Sequence, residues 1–503
     1  MLSSAALYVL SFPSWNLSYL SWIALVPFLL ALRGLGPGQG FVAGLLWGTA
    51  TIWGIGYWLP VALSTYWGQP PWFGFLCAFI GSVIFVGLYG GGFAACACCV
   101  ARRWSGLPRA AAIAVLWVAW ELARGRLLTG DPWLLIGYAL TPHPEWIQIA
   151  DLGGVYLVSL VVAFANAALA ETSTAATRAA LAKVLVPLAV VLLATLMYGR
   201  SRLGADIERA EPGIPVTVVQ ANNDLGSQWK PEYYGQGVDE YLDLSRHAAA
   251  TRGGGLLVWP ESAVTFFLAD EPEYQRRIGN LLRDTGMDLI LGAPHLDNAD
   301  PAVPRFFNSA FHMGSDGRLH GRYDKTHLLP FGEYFPLRTI GLLRRQFERV
   351  RTFVPGDELQ LLDTGFGKVA VVICFEAIFP ELVRERMVAG GQFLVNLSND
   401  AWLGDGAGPE QHLLMIPMRA VENRTWVVRA TTTGISAIIA PNGQIVRRSK
   451  AGEAAVVSDH IAAATGATVY QRYGDVTPYL CVAASALLII ASVGYRERSL
   501  AGD

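Results

Sequence analysis

Residues 368–381 read KVAVVICFEAIFPE. Val369–Ile373 is an unbroken run of small and β-branched apolar residues, the composition of a strand buried on both faces. The run ends on Cys374, and Phe375 and Glu376 follow at once. Similar apolar runs stand at PVTVVQAN (215–222), GLLVWPES (255–262), DLILGAP (288–294) and QFLVNLSND (392–400). Residues 425–446 read as two strands about a turn at Pro441–Gly443. Amphipathic stretches near 232–250, 271–286, 379–389 and 409–424 have helical spacing. Strands alternating with helices predict a layered α/β domain.

This domain occupies only part of the chain. The 503 residues exceed one ordinary domain. They are 53% hydrophobic and 16% charged, where about a quarter charged is usual for soluble proteins. The mean hydropathy is +0.36. Apolar residues concentrate before about residue 200 and again after about residue 477, which predicts a helical membrane domain over 1–200, a soluble domain over 205–475 and a last spanning helix over 477–494. Candidate spans are 18–33, 39–60, 72–100, 109–125, 152–170 and 180–198, with a shorter run at 2–13 as a further one. The 2–13 run lacks the positive start of a signal peptide, and another apolar run follows it closely.

Basic residues set the orientation. With the N-terminus inside and eight spans, the cytoplasmic loops carry Arg33, then Arg102, Arg103 and Arg109, then Arg178 and Lys183, and the tail carries Arg496 and Arg498. Arg124 and Arg126 oppose the bias. On balance the soluble domain is expected outside the cytoplasm. Glu121 and Arg124 stand near a span end, placed either to meet a lipid headgroup or simply to sit at the interface. The net charge of −2 and the lack of a basic stripe with interleaved aromatics give no sign of a nucleic-acid partner.

Five of the six cysteines lie in apolar segments; the ACACC cluster at 95–99 has no His or acidic neighbour and reads as helix packing, so no metal or other cofactor is expected. Cys374 alone falls in the soluble domain, so no internal disulfide can engage it.

Polar residues gather where the predicted strands end. WPES puts Glu261 past one strand, GRYDKTHLLPFGEYFP puts Lys325 and Glu333 in a loop, and Cys374 ends another strand. Ligands of open α/β sheets sit beyond such strand ends. A thiolate attacks carbonyls, a carboxylate takes its proton, and a lysine stabilises the resulting oxyanion. Each residue alone has a bland reading, as core, cap or solvated charge. The three together predict an acyl-transfer site.

In these motifs the chain resembles the nitrilase superfamily, with its Glu-Lys-Cys triad of Glu261, Lys325 and Cys374 and its α-β-β-α sandwich. Within that superfamily the flanking spans make it similar to the membrane-embedded apolipoprotein N-acyltransferases. Further matches are NSA (308–310), NLSNDAWLG (396–404), QH (411–412), RAVENRTWVVRATTTGISAII (419–439) and PWLLIGYAL (132–140). The departures are Phe375 in place of an aromatic hydroxyl, Leu403 in place of Phe and Thr432 in place of Asn; they bear on acyl-chain or headgroup preference.

The resemblance implies a bacterial inner-membrane enzyme with its catalytic domain on the periplasmic side. It would move an acyl chain from a phospholipid, the sn-1 chain of phosphatidylethanolamine, through a Cys374 thioester to the α-amine of diacylglyceryl-cysteine in a lipoprotein. Glu261 would be general base and acid, and Lys325 would hold the oxyanion. Glu333 would position Lys325 or the amine, and Glu376 would orient the nucleophile loop. Trp229 resembles a substrate contact but equally reads as a buried anchor. Asn308, Asn399 and Asp400 read as loop-holding residues. TFFLAD (265–270) and TIGLLRRQFERVRTF (339–353) either dip into the membrane surface as a lid or pack as ordinary helices. The rivals are a membrane-tethered amidase using water as acceptor, a scaffold on the same fold, and a transporter; the last is disfavoured because the spans hold no acid pair suited to ion coupling.

Overall fold

The computed structural model describes residues 1–205, 213–223, 235–252, 254–300, 302–336, 353–404 and 406–501; Trp229 and most of 339–353 lie outside the described residues. The chain forms two compact units. One comprises Met1–Leu63, Pro70–Asp206 and Thr468–Asp503, the other Ser64–Gln69 and Ile207–Ala467.

The first unit is helical. Among the described residues, four of its helices are long and apolar enough to cross a membrane: Pro71–Ala101, Gly106–Arg126, Ala150–Thr172 and Arg178–Leu203. The 18–33 stretch, expected as one span, is broken. It forms a 3-10 turn over Ser18–Trp22 and a short α-helix over Val26–Ala31. The break persists because Asn166 serves its backbone: Leu25 N donates to Asn166 Oδ1 (2.8 Å) and Asn166 Nδ2 donates to the Ser21 carbonyl (2.8 Å). In an apolar surrounding such groups must find partners within the protein. The 39–60 stretch is likewise divided, into Pro37–Ile55 and Leu59–Trp67.

Small residues let two helices of this unit touch. Pro37–Ile55 meets Leu88–Ala101 through Gly44 and Gly90, and a Cβ at Gly44 would overlap the Gly90 carbonyl oxygen. Glycines at spacings of four, Gly40, Gly44 and Gly48, are the sequence form of this contact. Glu171 ties together the helix ends. Its carboxylate takes two bonds from Arg109 (2.7 Å each) and one from Gly106 N (2.8 Å). Glu121 is buried and accepts from Ile136 N (2.8 Å), which fixes the PWLLIGYAL loop.

Among its described residues, the second unit has twelve strands in two six-stranded sheets. The first sheet runs β12 (Ala455–Ile461), β1 (Ile214–Gln220), β2 (Gly255–Val258), β3 (Met287–Asp297), β4 (Arg305–Met313), β5 (Leu319–Asp324). The second runs β11 (Ile445–Arg448), β10 (Ala437–Ile439), β9 (Val427–Thr431), β8 (Phe393–Ser398), β7 (Gly367–Ile373), β6 (Leu362–Thr364). Residues 425–446, expected as two strands, supply three. The strands β4, β5 and β12 were not apparent in the sequence because Asn, His, Arg and Asp interrupt their apolar pattern.

Strand alternation builds the layers. Val216, Val218, Leu256, Val258, Val369, Val371, Ile373, Val395 and Leu397 meet between the sheets. The intervening residues face outward. Val219, Leu257 and Leu289 pack on the helices Gln236–Arg252 and Pro272–Thr285, and Ala370, Val372 and Leu394 pack on Pro380–Val388 and Gly408–Asn423. The result is a four-layer α-β-β-α sandwich. Each such buried Val, Leu or Ile contributes about 1.5–3 kcal/mol. Helix ends follow local rules: Pro272 opens one helix, and Gly286 in the left-handed region (φ 68°) closes it with its N–H on the Leu282 carbonyl.

Candidate active site

The site is built at the ends of three strands of the sandwich. Glu261 follows β2, Lys325 follows β5 and Cys374 follows β7. The WPES turn lies directly on β3. Trp259 N donates to the Ile290 carbonyl (2.9 Å) and Gly292 N to the Pro260 carbonyl (3.2 Å). Residue 292 must be glycine for this, because a Cβ there would stand 2.5 Å from the Glu261 Cα. The β3–β4 register places Asn308 opposite Pro294, and Lys325 N continues the next ladder onto the Asn308 carbonyl (2.9 Å). Glu261, Asn308 and Lys325 are thereby set side by side.

Their side chains form one buried cluster with Glu333. Lys325 Nζ lies 2.8 Å from Glu333 Oε2 and 3.9 Å from Glu261 Oε1. The Asn308 amide donates to both carboxylates, at 2.7 Å to Glu261 and 2.6 Å to Glu333. Leu329 N donates to Glu333 (2.7 Å), and Asn399 N donates to the other oxygen of Glu261 (2.7 Å). Asn399 thus touches Glu261 through its backbone. Its side chain accepts from Thr432 Oγ1 (2.6 Å) and Ala401 N (3.1 Å), which holds the loop.

Charge follows from burial and neighbours. Burial raises the Glu261 carboxyl above its ordinary value against the pull of Lys325, and Glu333 adds to the rise. Burial opposes the charge on Lys325, but Glu333 and Glu261 hold its ammonium above the ordinary lysine range. The Cys374 thiol is pushed up to about 12, by burial first and then by Glu261, with Lys325 opposing. At neutral pH the sulfur is therefore a thiol, and a nearby base is needed to free it.

Cys374 takes φ 52°, a left-handed conformation unusual for a side chain larger than glycine, where β7 turns into the 3-10 segment Cys374–Ile378. Such strain costs on the order of 1–3 kcal/mol and persists only where the surroundings fix it. Glu376 does much of that fixing. One of its oxygens accepts from Ile373 N (2.8 Å). The other accepts from Tyr323 OH (2.7 Å), Thr326 N (2.9 Å), Thr326 Oγ1 (3.0 Å) and His327 N (3.0 Å). Arg386 stands 3.3 Å away. Burial opposes the charge of Glu376, yet Arg386, Lys325 and these donors keep its carboxyl below the ordinary range. The donors flank Lys325 on both sides, so Glu376 joins the lysine loop to the nucleophile turn. Phe375 is half-buried against His327 and Phe379.

The sequence reading did not single out a second network beneath Cys374. Asp400 accepts from Ser398 Oγ (2.7 Å) and Arg429 Nη2 (2.8 Å), with His412 Nδ1 at 3.0 Å. Asp400, His412, Ser398 and Arg429 are all buried. The NLSND, QH and RAVENRTWVVRATTTGISAII motifs contained these residues without showing that they meet.

Comparison with known proteins matches both units. The carbon-nitrogen hydrolase family matches residues 215–470, and the apolipoprotein N-acyltransferase N-terminal domain matches residues 4–168. The chain is 38% identical to the apolipoprotein N-acyltransferase of Geobacter metallireducens, over 99% of this chain and 95% of that one. It is 33% identical to that of Bradyrhizobium diazoefficiens, over 97% and 94%. Among solved structures, a nitrilase-superfamily amidase of Nesterenkonia superposes with a TM-score of 0.40 at 19% identity, covering 52% of this chain and 94% of the amidase. Both family models match this one chain, and relatives more than 30% identical over nearly all of its length are apolipoprotein N-acyltransferases; on that ground the chain belongs to the apolipoprotein N-acyltransferase family.

Proposed function

We propose that this protein transfers an acyl chain from a phospholipid, the sn-1 chain of phosphatidylethanolamine, to the N-terminal amine of diacylglyceryl-cysteine in apolipoproteins, completing their maturation. The observation that carries the reading is a buried thiol at a strand end, in the field of a base that burial keeps ready for a proton and of a lysine that stays charged.

The steps balance as follows. Glu261 takes the thiol proton as Cys374 Sγ attacks the ester carbonyl. Lys325 stabilises the oxyanion, positioned by Glu333. Collapse expels the glycerol oxygen, which takes the proton back from Glu261 and leaves as lysophospholipid. The lipoprotein amine then attacks the thioester, Glu261 accepts the amine proton and returns it to the leaving sulfur, and an amide remains. The acceptor must be an amine rather than water, and an apolar surrounding favours that choice.

The helices of the first unit support an inner-membrane location, and Arg33, Arg109 and Arg178 near helix ends support a catalytic domain on the periplasmic side. The test is intact mass after incubation with phosphatidylethanolamine, beside Cys374→Ala. The expected result is a gain of one acyl chain, absent in the variant and discharged by a diacylglyceryl-cysteine peptide. An adduct that decays in buffer as fast as with peptide would return the protein to the hydrolases. No adduct at all would remove the phospholipid donor.

A further inference from the structure

The buried network under Cys374 holds a group that the proposed mechanism leaves idle. The β7–β8 register pairs Ile373 with Leu397, so the next residues, Cys374 and Ser398, leave adjacent parallel strands side by side. The Ser398 hydroxyl bonds Asp400 Oδ1 at 2.7 Å, and its nearness to the Cys374 thiol works against burial to lower that thiol's pKa. Ser398 is fully buried, so no water competes for it. One hydroxyl proton thus stands between a carboxylate and the reacting sulfur.

Which neighbour holds the proton depends on what else each one has. Asp400 is well supplied: Arg429 Nη2 donates at 2.8 Å and His412 Nδ1 lies at 3.0 Å. Arg429 is placed for this by the β8–β9 register, which sets it opposite Asn396, and its other nitrogen bonds the Asn396 side chain. Despite burial, Arg429 and His412 keep the Asp400 carboxyl far below the ordinary range, so it remains an acceptor. The carboxylate can therefore give up the serine proton and still keep the Arg429 donor.

We propose that Ser398 is a catalytic hydrogen-bond donor to the Cys374 thiolate. In the resting enzyme its proton points to Asp400 Oδ1. As the thiol proton passes to Glu261, the hydroxyl turns and donates to Sγ, and it turns back when the sulfur is acylated. No bond to Ser398 is made or broken, and Asp400, Arg429 and His412 act through it as positioning residues. The inference rests on Cys374 being the nucleophile. A hydrogen bond to a charged group, in place of an apolar contact, favours the thiolate on the order of ten- to a hundredfold.

The test compares Ser398→Thr with Ser398→Val, two side chains of one shape that differ by the hydroxyl, with Ser398→Ala as the variant that adds no bulk. The full-length protein in detergent is treated with iodoacetamide between pH 7 and pH 9.5, and alkylation of Cys374 is followed by peptide mass. The charged groups acting on the sulfur are the same in every variant, Glu261, Lys325 and Asp400, and His412 meets the Cys374 backbone. Threonine is expected to follow the wild-type rate profile. Valine and alanine are expected to react at least tenfold more slowly at each pH, with acyl-enzyme formation slowed alike at unchanged lipid KM. A purely structural role would move the unfolding midpoint without separating threonine from valine. Equal rates for the two, or alanine behaving as threonine does, would overturn the proposal. Because alkylation needs no lipid, a wild type that is alkylated but never acylated would defeat the phospholipid reading and leave the serine comparison intact.

Discussion

In the proposed mechanism Glu261 acts as a base in a place that favours its acid form. Burial lifts its carboxyl, and only Lys325, Asn308 and the Asn399 N–H restrain the rise. The sign of the pH effect follows. The working base is the carboxylate, present above the folded pKa and lost as pH falls through it. Because that pKa is raised, acyl-enzyme formation should fail on acidification at a higher pH than an ordinary glutamate would give. A single-turnover pH profile measures this, and Glu261→Gln should remove the limb and lower the rate by about a hundredfold or more. A Gln variant that keeps the wild-type limb would show that another group is the base. The positions of Glu261, Lys325 and Cys374 at strand ends were legible because each follows a recognisable strand or loop motif. A place for Glu376 at the nucleophile loop was implied by the resemblance, but the partners that let it work there were not legible. Its partners Tyr323, Thr326, His327 and Arg386 are spread over more than sixty residues, and only the packed sheets bring them to one carboxylate. Asp400 was read as loop-holding and His412 and Arg429 lay in recognised motifs, but their joining with Ser398 in one network was hidden for the same reason, since three different elements supply it.

At the scale of elements, legibility followed the evenness of the apolar signal. β1, β2, β3, β7 and β8 have apolar neighbours on both faces and announce themselves as unbroken runs. β4 carries Asn308 and His312, and β12 carries Asp459 and His460, because one face or one end of each serves a polar purpose. The first helical unit shows the complementary case. A span was expected at 18–33 from composition, but the backbone breaks where Asn166 reaches across from another helix. Composition reports that a segment prefers lipid, and it is silent on a partner 140 residues away. The glycine contact between Pro37–Ile55 and Leu88–Ala101 has a direct consequence. Gly44→Val places a side chain against the Gly90 carbonyl, so the helices must separate. A loss of about 1–3 kcal/mol is expected, read as a lowered unfolding midpoint in detergent. Gly38→Val, in the same helix with nothing near its Cβ position, should leave the midpoint unchanged.

For the whole molecule, the proposed orientation puts the sandwich outside the cytoplasm. Lys450 stands on a surface turn of the sandwich with 80% of its side chain exposed, and Ala176 is exposed in the short loop between two apolar helices. With Lys450→Cys and Ala176→Cys, a membrane-impermeant thiol reagent applied to spheroplasts should label position 450 and spare 176 until the membrane is opened. The reverse pattern would turn the proposed orientation over.

The pairing of β1 with β12 sets a clock on synthesis. These strands lie side by side from Ile214↔Ile461 to Gln220↔Ala455, yet 235 residues separate Gln220 from Ala455 along the chain. A ribosome adding about 5–20 residues per second needs roughly 10–50 s to cover that interval. Throughout it the outer edge of β1 has no partner from its own chain, and an open strand edge is a template for pairing with any other. The nascent domain therefore spends tens of seconds as an unclosed sheet between a helix already made and one not yet begun, and its yield in the cell depends on what shields that edge until the last strand arrives.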